Sequence, residues 1–159
     1  TRHVMGVLVG RRWGLHSSQT RVVHFGAVPA DLARRHAACV RVDAAMILST
    51  VPGAPVAGII RAALQAYSDA GFPDEWRLHH QGGATGYAAR TYKGTPSSSE
   101  VVLENEGFAW NPSITGAKSE DTVLAQPGGP EVLSESPGWP MAPVEWGGRS
   151  IVRPDILVR

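Results

Sequence analysis

The sequence predicts an α+β fold: a β-hairpin, then an αα-hairpin, then an antiparallel sheet with long connections. Three observations carry that expectation. Apolar residues are arranged in strand-like runs over the first 25 positions, and three-and-four spacing governs residues 29 to 71. From Asp74 onward the helical spacing disappears while Gly, Pro and Ser become frequent.

The elements follow in order. Residues 4 to 9, "VMGVLV", form an apolar run bounded by Gly10-Arg11-Arg12 and read as a buried strand and a turn. "LHSSQTRVVHF" (15 to 25) alternates well enough to be its partner, and Gly26 and Pro29 end it. In "PADLARRHAACVRVDAAMILST" (29 to 50), Pro29 suits a first helical position and Asp31 favours the positive end of the helix dipole. Leu32, His36, Cys39, Val40, Met46 and Ile47 fall on one side of it, and Val51-Pro52-Gly53 stops it. A second helix places Val56, Ile59, Ile60, Ala63, Leu64 and Tyr67 on one face and ends at Gly71 and Pro73. Short β-like runs follow at "EVVL" (100 to 103), "GFAW" (107 to 110), "TVLA" (122 to 125) and "SIVR" (150 to 153).

Composition narrows the function classes. At 159 residues, with 43% apolar and 18% charged residues, the chain is one ordinary globular domain with room for a core. A net charge of +1 offers no basic surface for nucleic acid. No apolar run approaches the ~18 residues of a membrane span, and there is no signal-peptide pattern. The single cysteine, Cys39, excludes an internal disulfide framework and fits a reducing, cytoplasmic setting; it reads as a small buried hydrophobe on a helix. The chain opens on Thr1 and runs straight into a strand, so residues 1 to 159 are expected to be a fragment of something longer.

Two stretches carry candidate chemistry. In "DEWRLHHQGGATGYAAR" (74 to 90), His79 and His80 precede glycines that let a ligand approach the backbone. If the stretch is extended, the two imidazoles point to opposite faces. In "GFAWNPSITGAKSEDT" (107 to 122), Lys118, Glu120 and Asp121 follow a Gly turn, and alternation sends Glu120 and Asp121 opposite ways.

Together these stretches resemble the creatinase/aminopeptidase family, the pita-bread hydrolases. That family shows a His before a Gly-rich strand, then Phe-x-x-Glu-Pro-Gly, then Gly-x-x-x-Glu-Asp. Upstream, "SQTR" (18 to 21) is similar to its Asp-x-Thr-Arg and "LVG" (8 to 10) to its Asp-x-Gly. The resemblance implies a pita-bread fold, a curved antiparallel sheet carrying the helix pair, present here only as its C-terminal part. The family's metallopeptidases hold two divalent ions, such as manganese or zinc, on two Asp, one His and two Glu. Carried over residue by residue, the His falls on His80 and the last Glu on Glu120. The remaining three positions fall on Leu8, Ser18 and Asn111, which leaves too few ligands for two metals.

Resemblance to creatinase, which has this fold without metals, therefore implies a metal-independent hydrolase of a small amide or C–N-bonded substrate. His80 would move the proton, Glu120 would orient a cationic group, and His79 and Asn111 would contact the substrate. A histone-chaperone subunit of the same family uses the fold as a non-catalytic peptide-binding module. A rim of Trp76, Trp110, Tyr87 and Arg90 would suit that role. The third reading is a true Xaa-Pro aminopeptidase with bound metal. Family members often dimerise, so a homodimer is an expectation from the resemblance alone.

Overall fold

The computed structural model describes residues 2 to 159. Two long strands, β1 (His3–Arg12) and β2 (Leu15–His24), form the expected hairpin in continuous antiparallel register from His3↔His24 to Arg12↔Leu15. Helices α1 (Ala30–Ser49) and α2 (Val56–Asp69) follow, joined through Pro52-Gly53. Then come β3 (Gly82–Thr85), β4 (Tyr92–Lys93), β5 (Gly107–Trp110), β6 (Ser113–Ile114), β7 (Ala117–Lys118), β8 (Asp121–Leu124) and β9 (Glu131–Val132). The chain ends with β10 (Met141–Trp146), β11 (Arg149–Pro154) and β12 (Leu157–Val158).

Antiparallel pairing orders the central sheet β4-β3-β5-β8-β9, and β12 joins β2 in parallel. A bridge between Thr20 and Glu120 connects the first hairpin to the central sheet. The core lies between the helix pair and this sheet. Met46 and Ile47 of α1, Ile59, Ile60 and Tyr67 of α2, and Phe108, Trp110 and Val123 of the sheet are all sealed from solvent. The apolar face seen in the sequence is the face each helix buries, with Leu32 and Leu64 only half-buried at its margins. Cys39 is buried as expected, its thiol donating to the Pro112 carbonyl at 3.0 Å.

Two expectations fail. Residues 4 to 9 form a strand, but an exposed one: Val7 is 50% and Val9 58% accessible. Strand β1 lies at the sheet edge, where among the described residues only β2 pairs with it. An apolar run thus gave the strand but not its burial. "EVVL" forms no strand; Val101 makes a single bridge to Pro55, and Val102 bonds the Ala54 backbone.

Candidate functional site

The stretch from Gly107 to Leu124 is one β-hairpin. Trp110 pairs with Asp121, Ser113 with Lys118 and Ile114 with Ala117, all in a single register. Thr115-Gly116 makes the turn, with Gly116 at φ +90°, a conformation that costs glycine little. This register sets Asn111 opposite Glu120. Because side chains alternate, Asn111, Ser113, Lys118 and Glu120 share one face, while Trp110 and Asp121 take the other.

Glu120 is almost fully buried, yet its carboxylate is well supplied. Oε2 accepts from the Thr20 hydroxyl at 2.9 Å and from Lys118 Nζ at 2.8 Å. Oε1 accepts from Arg90 Nη2 at 3.0 Å. Thr20 comes from β2, Arg90 from the loop after β3 and Lys118 from the strand before, so three separate segments converge on one carboxylate. Counting charges, one carboxylate faces two cations, and the cluster carries a net charge of +1. Ser18 lies two residues before Thr20 and shares its face. Ser18 Oγ, Asn111 Oδ1 and Arg90 Nε are buried without hydrogen-bond partners.

The opposite face is braced by a second ionic group. Asp121 receives Arg21 at 2.8 Å and Arg153 at 2.7 Å, and Arg153 also holds Asp43 of α1. Ser119 donates to the same Asp43 carboxylate. Burial pushes the Asp43 carboxyl up, while Arg153 and Ser119 pull it back. Arg21 Nη1 also donates to the Glu120 carbonyl at 3.3 Å, so the brace reaches the backbone of the site.

Among the described residues the two histidines form no hydrogen bond to this cluster, though the charges of Lys118 and Arg90 act on both rings. They are not extended: they follow a short 3-10 turn, Glu75–Arg77, and their rings stack on each other with centroids 4.5 Å apart. The expectation of opposite faces fails because the chain bends at residues 78 and 79, ahead of β3, instead of running as a strand. His80 Nδ1 accepts the Gly82 N–H at 3.2 Å, which leaves the proton of the neutral ring on Nε2. Partial burial, then His79 and the cations Lys93, Arg90 and Lys118, holds His80 down to about 4. Burial first, then Lys118, also lowers His79. Both rings are therefore neutral near pH 7.

The structure thus brings together Glu120, Asn111, Ser18 and Arg90, with Lys118 and Thr20 completing the cluster. Leu8 is not brought to it. Leu8 pairs with Gln19, so it faces away from Ser18 and Thr20, and it is exposed. Trp110 is also absent: its ring is sealed in the core and Nε1 donates to Thr50 Oγ1 at 2.8 Å. Tyr87 is 79% exposed, its ring beside Gly14 at the tip of the first hairpin. Trp76 is half-buried against the core. Lys118 was visible in the motif without a role, and Asp43 and Arg153 had none. Asp43 lies four residues after Cys39 and four before Ile47, on the apolar face of α1, and a charge there calls for a buried partner.

No family model matches the sequence, and no curated protein matches it. Solved structures do match. Dipeptidase PepE from Mycobacterium ulcerans superposes with a TM-score of 0.79 at 20% identity, covering 98% of this chain and 39% of that one. The X-Pro aminopeptidase from Thermotoga maritima gives 0.79 at 15% identity, covering 99% and 42%. This is the pita-bread fold. The N-terminal domain of FACT complex subunit SPT16 from chickpea, Cicer arietinum, gives 0.68 at 16% identity, covering 82% and 34%. At such identities the likeness is one of fold. The chain spans about two-fifths of the length of the pita-bread peptidases it matches. Among the described residues no helix is long and apolar enough to cross a membrane.

Proposed function

We propose that this is a hydrolase-type domain of the creatinase/aminopeptidase family that works without metal on a small amide or other C–N-bonded substrate. The state of Glu120 carries the proposal. Both of its oxygens already hold cations of the chain itself, Arg90 at 3.0 Å and Lys118 at 2.8 Å. In the metallopeptidases it resembles, the matching Glu is a metal ligand. Here a divalent ion would have to displace two partly buried side-chain cations and would then find neutral oxygens on Ser18 and Asn111. Among the described residues, no three His, Cys, Asp or Glu side chains gather into an ion-binding group. This donor set does not fit a manganese or zinc pair, and no step is routed through one.

The charge balance also redirects the expected substrate contact. Glu120, already neutralised, is a poor holder for a cationic group. The net positive cluster favours an anionic part of a ligand, met by Arg90 and Lys118 and by the unpartnered Ser18 hydroxyl as donor, while the unpartnered Asn111 Oδ1 on the same face accepts from a ligand N–H. His80 would then serve the reacting amide, on condition that Nδ1 releases the Gly82 N–H before taking a proton.

That condition favours a second reading, binding of a small amide or short peptide without turnover. The likeness in fold to the FACT subunit domain is consistent with it. The metal-dependent Xaa-Pro aminopeptidase reading rests on the peptidase neighbours and is weakened by the donor set.

Elemental analysis of protein prepared with manganese, paired with assays on Xaa-Pro dipeptides and creatine-like compounds, separates the three. The first reading expects substoichiometric metal and turnover of a creatine-like compound that His80→Ala abolishes. Saturable binding with no turnover favours the second. Stoichiometric manganese with manganese-dependent dipeptide cleavage overturns the proposal.

A further inference from the structure

A cavity of about 350 Å³ opens between α2, the segment that carries the two histidines and the residues that follow β4. That volume is in the lower part of the range for small-molecule sites. No residue of the Glu120 cluster lines it. Its apolar lining includes Ile60 of α2, almost fully buried, half-buried Trp76 and exposed Pro96.

Several polar groups of the lining are already engaged. The Gln81 amide donates to the Trp76 and His79 carbonyls at 3.0 and 2.7 Å and accepts from the Tyr67 hydroxyl at 2.9 Å. Arg77 pairs with Asp74 at 3.4 Å, and its guanidinium lies over the Trp76 ring. Two further donors belong to exposed residues, within a ligand's reach. Lys93 forms no ion pair among the described residues. His80 Nδ1 is held by the Gly82 N–H, so its Nε2 carries the proton and donates.

The charges of the lining are of one sign. Arg77 and Lys93 are its cations and no carboxylate joins them. Asp74 offsets Arg77 from outside the lining, which leaves Lys93 uncompensated and close enough to act on the His80 ring. One uncompensated positive charge matches a monoanion, and an apolar wall matches a hydrocarbon body. We infer that this cavity binds a small apolar carboxylic acid in its ionised form, its carboxylate accepting from Lys93 Nζ and His80 Nε2 and its carbon body lying against Ile60, Trp76 and Pro96. Such binding needs no turnover, so it stands whether or not the chain is a hydrolase.

The test titrates three probes of one shape into the intact chain near pH 7, followed by calorimetry and amide NMR: 3-phenylpropionate, its neutral amide and the cation 3-phenylpropylammonium. The acid is expected to bind one-to-one and about fivefold tighter than the amide, the gain of a charge-assisted over a neutral hydrogen bond, with the cation weakest. Its shifts should fall on the Trp76 indole and the Gly94 amide. Lys93 is exposed on the two-residue strand β4, so replacing it leaves the core untouched. Lys93→Met should erase the advantage of the acid, and Lys93→Glu should make the cation the tightest of the three. Arg34→Met, which removes a surface cation outside the lining, should change neither. The inference is overturned if the acid does not saturate, if it binds no tighter than the amide, or if its advantage survives Lys93→Met. Shifts on Thr20 and Lys118 in place of Gly94 and Trp76 would also overturn it, because they would put the anion at the Glu120 cluster.

Discussion

At the scale of single residues, Glu120 decides most. A carboxylate this deep survives only because three donors meet it, and two of them are cations. Removing one cation from such a nearly buried group leaves charge poorly compensated. Arg90→Met is therefore expected to lower stability by about 3 kcal/mol, the scale for breaking a buried pair, as read by urea denaturation. Exposed Arg34, paired with Asp31 on the surface, serves as the control: Arg34→Met should cost well under about 1 kcal/mol. A loss at Arg90 no larger than that at Arg34 would show the ion pairs on Glu120 to be ornamental.

His80 permits a pH prediction with a definite sign. Its folded value sits near 4, below the ordinary 6.5. Between those two values the unfolded chain binds a proton that the folded chain refuses, so this histidine makes stability fall as pH drops from 6.5 toward 4 and adds no further loss below. Two-dimensional NMR of the imidazole should show titration with a midpoint near 4. A midpoint above 6 would mean that the ring is neither crowded by cations nor held to Gly82.

At the scale of elements, the glycine-rich strand β3 separates two roles that look alike in sequence. Gly82 has φ +95°, and a Cβ there would strike the Ala109 carbonyl of β5. Gly86, four residues on, has open space around it. Gly82→Ala should thus cost about 3 kcal/mol through strain and clash, whereas Gly86→Ala should stay within about 0.5 kcal/mol. Thermal denaturation of the two variants checks this, and equal losses would refute the close approach of β3 and β5.

The helices and the hairpin that carries Glu120 were legible in the sequence, because local spacing and a Gly turn suffice to specify them. The region around His79 was not. A bend ahead of β3 stacks the two imidazoles where a strand would have parted them, and nothing in "RLHHQ" distinguishes the two outcomes. Trp110 was misjudged for a related reason. An aromatic side chain fits a core, a rim or open solvent equally well until its neighbours are known.

At the scale of the whole molecule, β1 is the outlier. It presents Val4, Val7, Leu8 and Val9 to solvent on an edge that, among the described residues, no second strand pairs. Long apolar edges invite intermolecular pairing. The isolated chain is expected to self-associate at high concentration, and Val9→Lys should reduce that association while leaving the fold intact, as measured by light scattering and circular dichroism. A monodisperse native chain at millimolar concentration would refute the expectation.

The sequence by itself determined the order of elements, the faces the helices bury and the neutral side chains at Ser18 and Asn111, since each depends on residue types and short-range periodicity. The tertiary structure alone decided what surrounds them. Arg90 lies thirty residues from Glu120 and Thr20 one hundred, and Asp43 meets Arg153 across 110 positions. Burial, neutralisation and the cavity beside His80 are properties of such distant encounters. They depend on which groups the packed chain brings within a few ångströms, and local sequence has no means of stating that.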